Sequence, residues 1–280
     1  MSKTHKRPSR GPNCSGRDMS TETITTPALQ GAPADALRAR LPPTCLVPGY
    51  WETLASNTND WAPIISVGPL WREATKRLDQ WKREYRRQIG GVLCRNQQLP
   101  NFVGKSATRI EQKTLDKLRK NGDVDKELSR LFDYPAVAIP RLEDLVRVRL
   151  ETQFLDGVPF LANRILELAK SHDPNASIER KGKLEGYFAQ HVTFRLPVHF
   201  RFNGEITSYD VTCEVQVATA LASLVWENSH GLYEASRVRD ESTDEWQWSP
   251  KDPRFLSHQL GHMIHLADGL FCQLRDTTRR

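Results

Sequence analysis

The chain has 280 residues, a net charge of +6 and a sequence pI near 9.1, a mild basic excess that favours nucleotides or nucleic acid as partners without choosing between them. Its five cysteines are far apart and form no CxxC pair, which argues against a disulfide framework or a zinc ribbon. No apolar run reaches the roughly 20 residues that span a bilayer, and the N-terminus lacks a secretory apolar stretch, so we expect a cytoplasmic protein with no membrane partner.

The first 62 residues are rich in Ser, Thr, Pro, Gly, Ala and Arg, and they show no sustained hydrophobic period. Such a composition cannot bury enough apolar surface to offset the entropy of ordering the chain. The total length leaves room for a domain of about 200 residues beside an appendage. We therefore predict a disordered basic tail over residues 1–62 and a folded domain over residues 63–280.

Two basic helices are predicted at the start of this domain. Lys and Arg separate apolar residues at helical spacing over residues 70–89, and residues 104–120 have the same character before the linker at 121–123. The charged face of the first helix is either a solvated surface or a surface for phosphate or RNA. Its apolar residues are Leu70, Ala74, Leu78, Trp81, Tyr85 and Ile89.

A strand and a helix are predicted to follow as one unit. Residues 142–150 are short and β-branched, which indicates a strand in a sheet that is covered on at least one side. Asp156 is predicted to cap the next helix, in which Leu161, Ile165 and Leu168 form an apolar stripe.

A hairpin is predicted in the second half of the domain. Residues 192–200 alternate between apolar and polar side chains, which is typical of a half-buried strand. Asn203-Gly204 supplies a turn, and residues 211–217 form the returning strand. Glu214 falls on the polar face of that strand, so a carboxylate is held on a rigid element.

Two helices, over about 219–235 and 255–275, are predicted to close the chain. The sum of these elements is an α/β fold, a mixed sheet flanked by helices. The last helix carries His258, His262 and His265 on one face, a spacing that helix-bound zinc sites use. Because no carboxylate or cysteine completes that set, we predict no zinc site there.

The conserved blocks of RelA/SpoT synthetase domains resemble three segments of this chain, which follow one another as LEDLVRVRL, KLEGYFAQH and CEVQVATALASLVWENSHGLY. The resemblance spans roughly residues 100–235. It implies a small single-domain alarmone synthetase with a nucleotidyltransferase-like fold. It also implies an enzyme that transfers pyrophosphate from ATP to the 3′-hydroxyl of GDP or GTP.

This chemistry requires magnesium, which prefers carboxylate and phosphate oxygens as ligands. Asp144, at the start of the first predicted strand, is the candidate ligand. Glu214 can assist the metal or take the proton from the attacking 3′-hydroxyl. The resemblance therefore implies that Asp144 and Glu214 are catalytic residues and Mg²⁺ ligands.

The residues expected to bind the phosphate donor, ATP, match the family pattern only in part. The resemblance implies that Lys105 and Lys113 bind the phosphates of ATP as point charges. Arg149 matches the Arg of the first block and would supply either a phosphate contact or a structural ion pair. Val103 stands where the family usually has Arg, and Arg109 stands where it usually has Ser, so the expected contact to adenine is weakened.

The residues that match the family's contacts to the acceptor nucleotide lie in the second and third blocks. The resemblance assigns Tyr187, expected on an exposed loop, to stacking on guanine. Lys183 and His191 resemble the family's phosphate and acceptor-site contacts, while Ala189 replaces a usual Ser. His230 matches a conserved histidine. The full set of candidate nucleotide-binding residues is Lys105, Lys113, Arg149, Lys183, Tyr187, His191, Gln216 and His230.

Other interpretations remain open at this point. Some family members resemble toxins that pyrophosphorylate the 3′ end of tRNA, and the basic helix at 70–89 would suit such an acceptor. Arg147 replaces a usual Gly and Ala218 a usual Arg, which raises the alternative of a degenerate nucleotide-binding module. Retention of Asp144 and Glu214 argues against that alternative. The sequence does not decide between a monomer and a homo-oligomer.

Overall fold

The structure is a computed structural model that describes residues 33–120, 123–132, 139–182, 186–237 and 244–279. Side chains are described for these residues except 120, 229–237, 244 and 245. None of the described helices is both long and apolar enough to cross a membrane.

The described elements alternate between helices and strands along the chain. Five strands are present in the described ranges, namely β1 (Val103–Gly104), β2 (Val146–Thr152), β3 (Ser177–Gly182), β4 (Phe188–Phe202) and β5 (Glu205–Thr219). The helices are α1 (Ala34–Arg38), α2 (Tyr50–Ser66), α3 (Pro69–Gln88), α4 (Ala107–Lys120), α5 (Val124–Leu131), α6 (Gly157–Lys170), α7 (Ala220–Arg237) and α8 (Pro253–Thr277), with 3-10 helices at Pro43–Leu46 and Asp244–Trp248.

The strands form one mixed sheet in the order β1-β2-β5-β4-β3. The pairing of β2 with β5 is parallel, and the other neighbouring pairs are antiparallel. In the parallel pair Arg147 lies opposite Glu214, and Arg149 lies opposite Gln216. This register brings the first and third sequence blocks together, and it confirms the predicted mixed sheet flanked by helices.

The predicted hairpin is confirmed and is longer than expected. Asn203 and Gly204 both have positive φ, at 50° and 82°, the conformation that Asn and Gly adopt most readily in a tight hairpin turn. From this turn β4 and β5 pair continuously back to Gln190 opposite Val217. The alternation of apolar residues in β4 buries Val192, Phe194, Val198 and Phe200 in the core.

The predicted tail is wrong for residues 33–62. Helix α2 buries Tyr50, Leu54 and Trp61, whose side chains belong to the same core as the sheet. Asn57 exchanges two hydrogen bonds of 2.9 Å with the backbone of Arg201, so α2 is also fixed to β4. The apolar residues of α2 are interrupted by polar ones that make tertiary hydrogen bonds, and this hides the helical period. Residues 1–32 lie outside the described residues.

The predicted role of Asp156 is also wrong. Asp156 occupies the N-terminal flank of α6, but its side chain makes no capping hydrogen bond. It instead accepts a hydrogen bond of 2.5 Å from the Tyr85 hydroxyl, and one of 2.7 Å from Arg275. Asp156 therefore joins α3 and α8 to the start of α6, a long-range role that local sequence patterns do not reveal.

The described cysteines carry thiols, as the sequence predicts. Cys45, Cys94 and Cys213 are buried and Cys272 is partly buried, whereas Cys14 lies outside the described residues. Burial raises the pKa of Cys45 to about 12, against a smaller opposing effect of its hydrogen bond with Tyr50.

Candidate active site

A first cluster surrounds Asp144, immediately before β2. Lys113, on α4, donates to Asp144 Oδ1 at 2.6 Å, and Lys105 donates to Oδ2. The backbone N–H of Lys105 donates to the carbonyl of Leu145 at 3.0 Å, so the strand β1 and the start of β2 hold both residues in register. We call Lys105, Lys113 and Asp144 the lysine–aspartate cluster.

The charges of the two lysines in this cluster oppose a strong effect of burial on the pKa of Asp144. Burial alone would raise the pKa of Asp144, but the ammonium groups of Lys113 and Lys105 outweigh it and hold the pKa well below its usual range. Burial lowers the pKa of Lys105 to about 8, although the charge of Asp144 acts in the opposite direction. The carboxylate is therefore ionised at neutral pH, and Lys105 loses its charge in a mildly alkaline range.

A second cluster runs from the segment before β4 across to β5. The Tyr187 hydroxyl lies 2.9 Å from His191 Nε2, and His191 Nδ1 lies 3.0 Å from Glu214 Oε2. Gln216 donates to the other carboxylate oxygen, Glu214 Oε1, at 2.6 Å. We call Tyr187, His191, Glu214 and Gln216 the histidine–glutamate cluster. His191 and Gln216 are paired across β4 and β5, so the sheet itself sets this geometry.

The electrostatics connect the second cluster to the first. Burial would raise the pKa of Glu214, but its hydrogen bond with His191 and the charge of that ring lower it overall. The charge of Asp144 opposes this lowering, so the carboxylate of the first cluster acts on the pKa of the carboxylate in the second. Burial raises the pKa of Tyr187 to about 12, against the opposing charge of Arg149. Tyr187 is therefore a neutral hydroxyl at physiological pH.

Two arginines of β2 complete the surface between the clusters. Arg149 reaches Gln216 Oε1 at 3.5 Å and Glu227 Oε1 at 3.8 Å, so it is engaged by both β5 and α7. Arg147 lies two residues earlier on the same face, opposite Glu214. The positive charge of Arg147 lowers the pKa of both Lys105 and Tyr187, among smaller effects after burial.

Arg147 is a site residue that the sequence analysis missed. The alternation of β2, in which Arg147 and Arg149 are both half-buried between buried neighbours, is the signal that places it in the site.

The ring of Tyr187 is not freely exposed, contrary to the expectation. It is partly buried, and its centroid lies 4.6 Å from that of Trp226 on α7. The next residue, Phe188, stacks on His265 of α8 with centroids 3.7 Å apart and planes 7° from parallel. Stacking of Tyr187 on a base therefore requires its ring to use the face that Trp226 leaves open or to exchange that contact.

A close contact between two glycines also fixes the segment that carries Tyr187. Gly186 has a φ of 74°, in the left-handed region. A Cβ at Gly261 of α8 would overlap the backbone of Gly186, and a Cβ at Gly186 would overlap the carbonyl of His258. Both positions therefore need glycine, and α8 supports the segment that carries Tyr187.

Several residues that the sequence analysis singled out belong to neither cluster or lie outside the described residues. Lys183 lies outside the described residues, and the side chain of His230 is not described, although its backbone lies in α7. Val103 is 54% exposed in β1, and Ala218 is buried near the end of β5. In the part of the chain that the structure describes, no group of three or more His, Cys, Asp or Glu could hold a metal ion.

The donor atoms fit a magnesium ion that arrives with a nucleotide better than a resident metal. Asp144 and Glu214 supply ionised carboxylates, the oxygen ligands that magnesium prefers. Both oxygens of Asp144 are engaged by lysines, however, and two carboxylates alone do not make a closed metal cage. Phosphate oxygens would complete the coordination and offer the lysines a new partner.

No protein-family model matches the chain, and no curated protein matches it. Solved structures that resemble it include the small alarmone synthetase 1 from Bacillus subtilis, at 12% identity and a TM-score of 0.47, over 82% of this chain and 98% of the other. The small alarmone synthetase 2 from the same organism resembles it at 15% identity and a TM-score of 0.44, over 82% and 99%. A GTP pyrophosphokinase family protein from Streptococcus pneumoniae does so at 15% identity and a TM-score of 0.43, over 82% and 95%.

Proposed function

We propose that this protein transfers the pyrophosphate group of ATP to the 3′-hydroxyl of GDP or GTP. The observation that carries the proposal is the pair of clusters. One ionised carboxylate is held between two lysines, a second is held by a histidine and a glutamine, and the charge of the first acts on the pKa of the second. The resemblance of the three sequence blocks to RelA/SpoT synthetases supports the same chemistry.

The lysine–aspartate cluster serves the phosphate donor. Lys105 and Lys113 are ammonium groups at a partly buried site, where a phosphate chain gains more from charge than it would in water. Asp144 keeps both lysines in place before ATP arrives. A magnesium ion bound by Asp144 and Glu214 would neutralise charge on the phosphates and help the leaving group depart.

The histidine–glutamate cluster serves the acceptor. The 3′-oxygen attacks the β-phosphorus of ATP, a new O–P bond forms, the bond between the β-phosphorus and its bridge to the α-phosphate breaks, and AMP leaves. Glu214 accepts the proton of the 3′-hydroxyl or orients it. His191 holds the Glu214 carboxylate on one side and the Tyr187 hydroxyl on the other, so the base and the stacking ring are positioned together.

A labelled-transfer assay tests this proposal. Purified protein is incubated with ATP labelled in the γ-phosphate together with GDP, GTP or tRNA in separate reactions, and the products are separated by chromatography. We expect label in GDP or GTP, with one AMP formed for each transfer. Glu214→Gln is the matched inactive control. Absence of transfer to any acceptor would refute the proposal and favour a nucleotide-binding module without catalysis.

A second candidate is transfer to the 3′ end of tRNA. Helix α3 favours it, because one solvent-facing side carries several exposed basic residues that could contact a phosphate backbone. Two other basic residues of α3 are already paired with acidic ones, Arg77 with Glu73 and Lys82 with Asp79. Label in tRNA alone would establish this candidate in place of the first. The exposed basic residues are Arg72, Lys76, Arg83, Arg86 and Arg87.

A further inference from the structure

One cationic side chain between the two clusters has no partner in the protein. Arg147 is half-buried on β2, and among the described residues its guanidinium makes no ion pair and no hydrogen bond. Arg149, two positions along the same strand, contacts both Gln216 and Glu227. Because a charge that is partly removed from water needs a compensating partner, Arg147 is placed to receive an anion from outside the protein.

The carboxylates near Arg147 are both engaged by other residues. In the parallel pairing of β2 with β5, Arg147 lies directly opposite Glu214. One oxygen of Glu214 lies 3.0 Å from His191, and the other accepts a hydrogen bond of 2.6 Å from Gln216. Three positions before Arg147 in the chain, Asp144 has both of its oxygens bound by lysines. The fold therefore holds a guanidinium beside two carboxylates and pairs it with neither.

The sheet places Arg147 between the donor and acceptor sides of the candidate site. On the side away from Glu214, β2 pairs with β1, where the uncharged Val103 lies opposite Arg147. The charge of Arg147 lowers the pKa of Lys105 in the lysine–aspartate cluster and of Tyr187 in the histidine–glutamate cluster. Arg147 therefore acts electrostatically on both clusters. The row of side chains across the sheet at this level is Val103, Arg147, Glu214 and Thr193.

We infer that Arg147 is a catalytic residue, which binds the non-bridging oxygens of the pyrophosphate group while that group passes from ATP to the acceptor. The inference rests on the proposed function and deepens it. The 3′-oxygen forms a bond to the β-phosphorus, and the bond from that phosphorus to the bridging oxygen breaks. AMP leaves with the bridging oxygen, and the proton of the 3′-hydroxyl goes to Glu214. Arg147 exchanges no proton or electron pair in this step.

A guanidinium suits this position better than a further lysine would. Its planar fork of N–H donors matches two oxygens of one phosphate, whereas an ammonium acts as a point charge. During transfer, charge is spread over the non-bridging oxygens of the group in motion, so a donor fixed at that point stabilises the transition state. Lys105 and Lys113 are held by Asp144 on the donor side, and Arg147 lies directly beside the proposed base.

Steady-state kinetics of Arg147→Met test the inference. The substitution keeps an unbranched side chain but removes the charge and the N–H donors. We expect kcat to fall by about a hundredfold or more, the loss that removal of one donor to a developing charge produces, while KM for ATP changes little. A wild-type kcat in the folded variant, or a loss confined to KM for ATP, would overturn the inference.

Arg180→Met is the matched control for these kinetics. Arg180 is exposed on β3, and it points to the opposite face of the sheet because its neighbour Glu179 is paired with His191. The control should keep wild-type kinetics. A wild-type protein that transfers no label would refute the proposed function and this inference with it. An active wild type with an equally active Arg147→Met would refute the role of Arg147 alone.

Two further measurements separate a catalytic role from a structural one. In Arg147→Ala, added ethylguanidinium should restore part of kcat, while ethylammonium at the same concentration should not, because only the former carries the fork of donors. Equal restoration by the two cations would contradict the inference. The thermal midpoint of Arg147→Met should equal or exceed that of the wild type, because the guanidinium lacks a partner in the free protein. A lower midpoint would show that Arg147 supports the fold and would contradict the inference.

Discussion

The two clusters of the candidate site hold their carboxylates in different ways. Asp144 is bound by two ammonium groups and is compensated by full opposite charges. Glu214 is bound by an imidazole and an amide, so hydrogen bonds provide much of its stabilisation. The side chains of both carboxylates are at most 10% exposed, so neither relies on water.

This difference indicates separate tasks. Charged partners such as lysines can transfer from a carboxylate to an incoming phosphate with little change in their hydrogen bonding. A carboxylate held mainly by hydrogen bonds keeps negative charge available for a proton or a metal ion. The lysine–aspartate cluster thus suits the donor, and the histidine–glutamate cluster suits the acceptor and the proton.

The largest expected effect concerns the support of the lysine–aspartate cluster by α2. Thr58 donates to the carbonyl of Lys105 at 3.2 Å, while the buried Tyr50 and Leu54 anchor the helix. Truncating one large core side chain costs about 3–5 kcal/mol, and whole domains are stable by only about 5–15 kcal/mol. We expect deletion of residues 1–60 to abolish cooperative thermal unfolding.

Deletion of residues 1–32 alone is the matched control for that truncation. The composition of this segment predicts an unchanged thermal midpoint. An equally unchanged midpoint after deletion of residues 1–60 would show that α2 does not belong to the core.

The second-largest expected effect concerns Glu214, where a substitution should lower the catalytic rate without preventing nucleotide binding. Glu214→Gln preserves shape but removes the negative charge, so we expect kcat to fall roughly a hundredfold or more while nucleotides still bind. Steady-state kinetics and calorimetry measure the two quantities. Glu205→Gln, at the exposed far end of β5, should leave both unchanged. A folded Glu214→Gln protein with normal turnover would remove the central residue of the proposed acceptor side.

Lys113→Met tests the donor side. Hydrogen bonds to charged groups contribute about 1.5–3 kcal/mol, so we expect KM for ATP to rise roughly ten- to a hundredfold or more. The KM of the acceptor should change little. Lys117→Met, one helical turn further along α4 and 3.9 Å from Glu143, is the control. An acceptor KM that rises as much as the KM for ATP would contradict the division between the clusters.

The pKa of Lys105 predicts a pH dependence of ATP binding. Because burial lowers this pKa to about 8, Lys105 is charged below that pH and neutral above it. We expect kcat/KM for ATP to decline as the pH rises through about 8. Lys105→Arg keeps its charge over the whole range, so its profile should lose this decline. A decline that persists unchanged in Lys105→Arg would assign it to another group.

The smallest effects concern Tyr187. Removing its ring in Tyr187→Ala should raise the acceptor KM roughly five- to a hundredfold, because stacking on a base contributes about 1–3 kcal/mol. Tyr187→Phe loses only the hydrogen bond to His191, a contribution of about 0.5–1.5 kcal/mol, so it should change the KM less. Equal effects of the two substitutions would show that the hydroxyl matters and that the ring does not stack.

The parts of the fold that were predicted correctly are those with a strong local period. The hairpin of β4 and β5 has alternating side chains and an Asn-Gly turn, and α3 has an unbroken apolar stripe. Helix α2 was missed because Asn57 and Thr58, buried by tertiary hydrogen bonds, look like loop residues in the sequence. Strand β3 is mostly exposed and charged, so its pairing with β4 leaves little trace in its composition.

The site was predictable where residues lie on strands of clear alternation. His191 and Glu214 meet because their strands pair. The contact of Lys105 with Asp144 was not predictable, because β1, the strand that pairs with β2 beside it, has only two residues and leaves no alternation in the sequence. The contact between Tyr187 and Trp226 was not predictable, since it joins a loop to a helix more than 30 positions away. Side-chain packing of that kind depends on tertiary structure that no local pattern encodes.

A crossed binding measurement tests the division of tasks most directly. Calorimetric titrations of Lys113→Met and Tyr187→Ala are carried out with a non-hydrolysable ATP analogue and, separately, with GDP. We predict that Lys113→Met loses affinity for the ATP analogue and keeps its affinity for GDP, while Tyr187→Ala shows the reverse. If both variants lose affinity for the same nucleotide, the two clusters bind one ligand between them, and the proposed donor and acceptor sides are wrong.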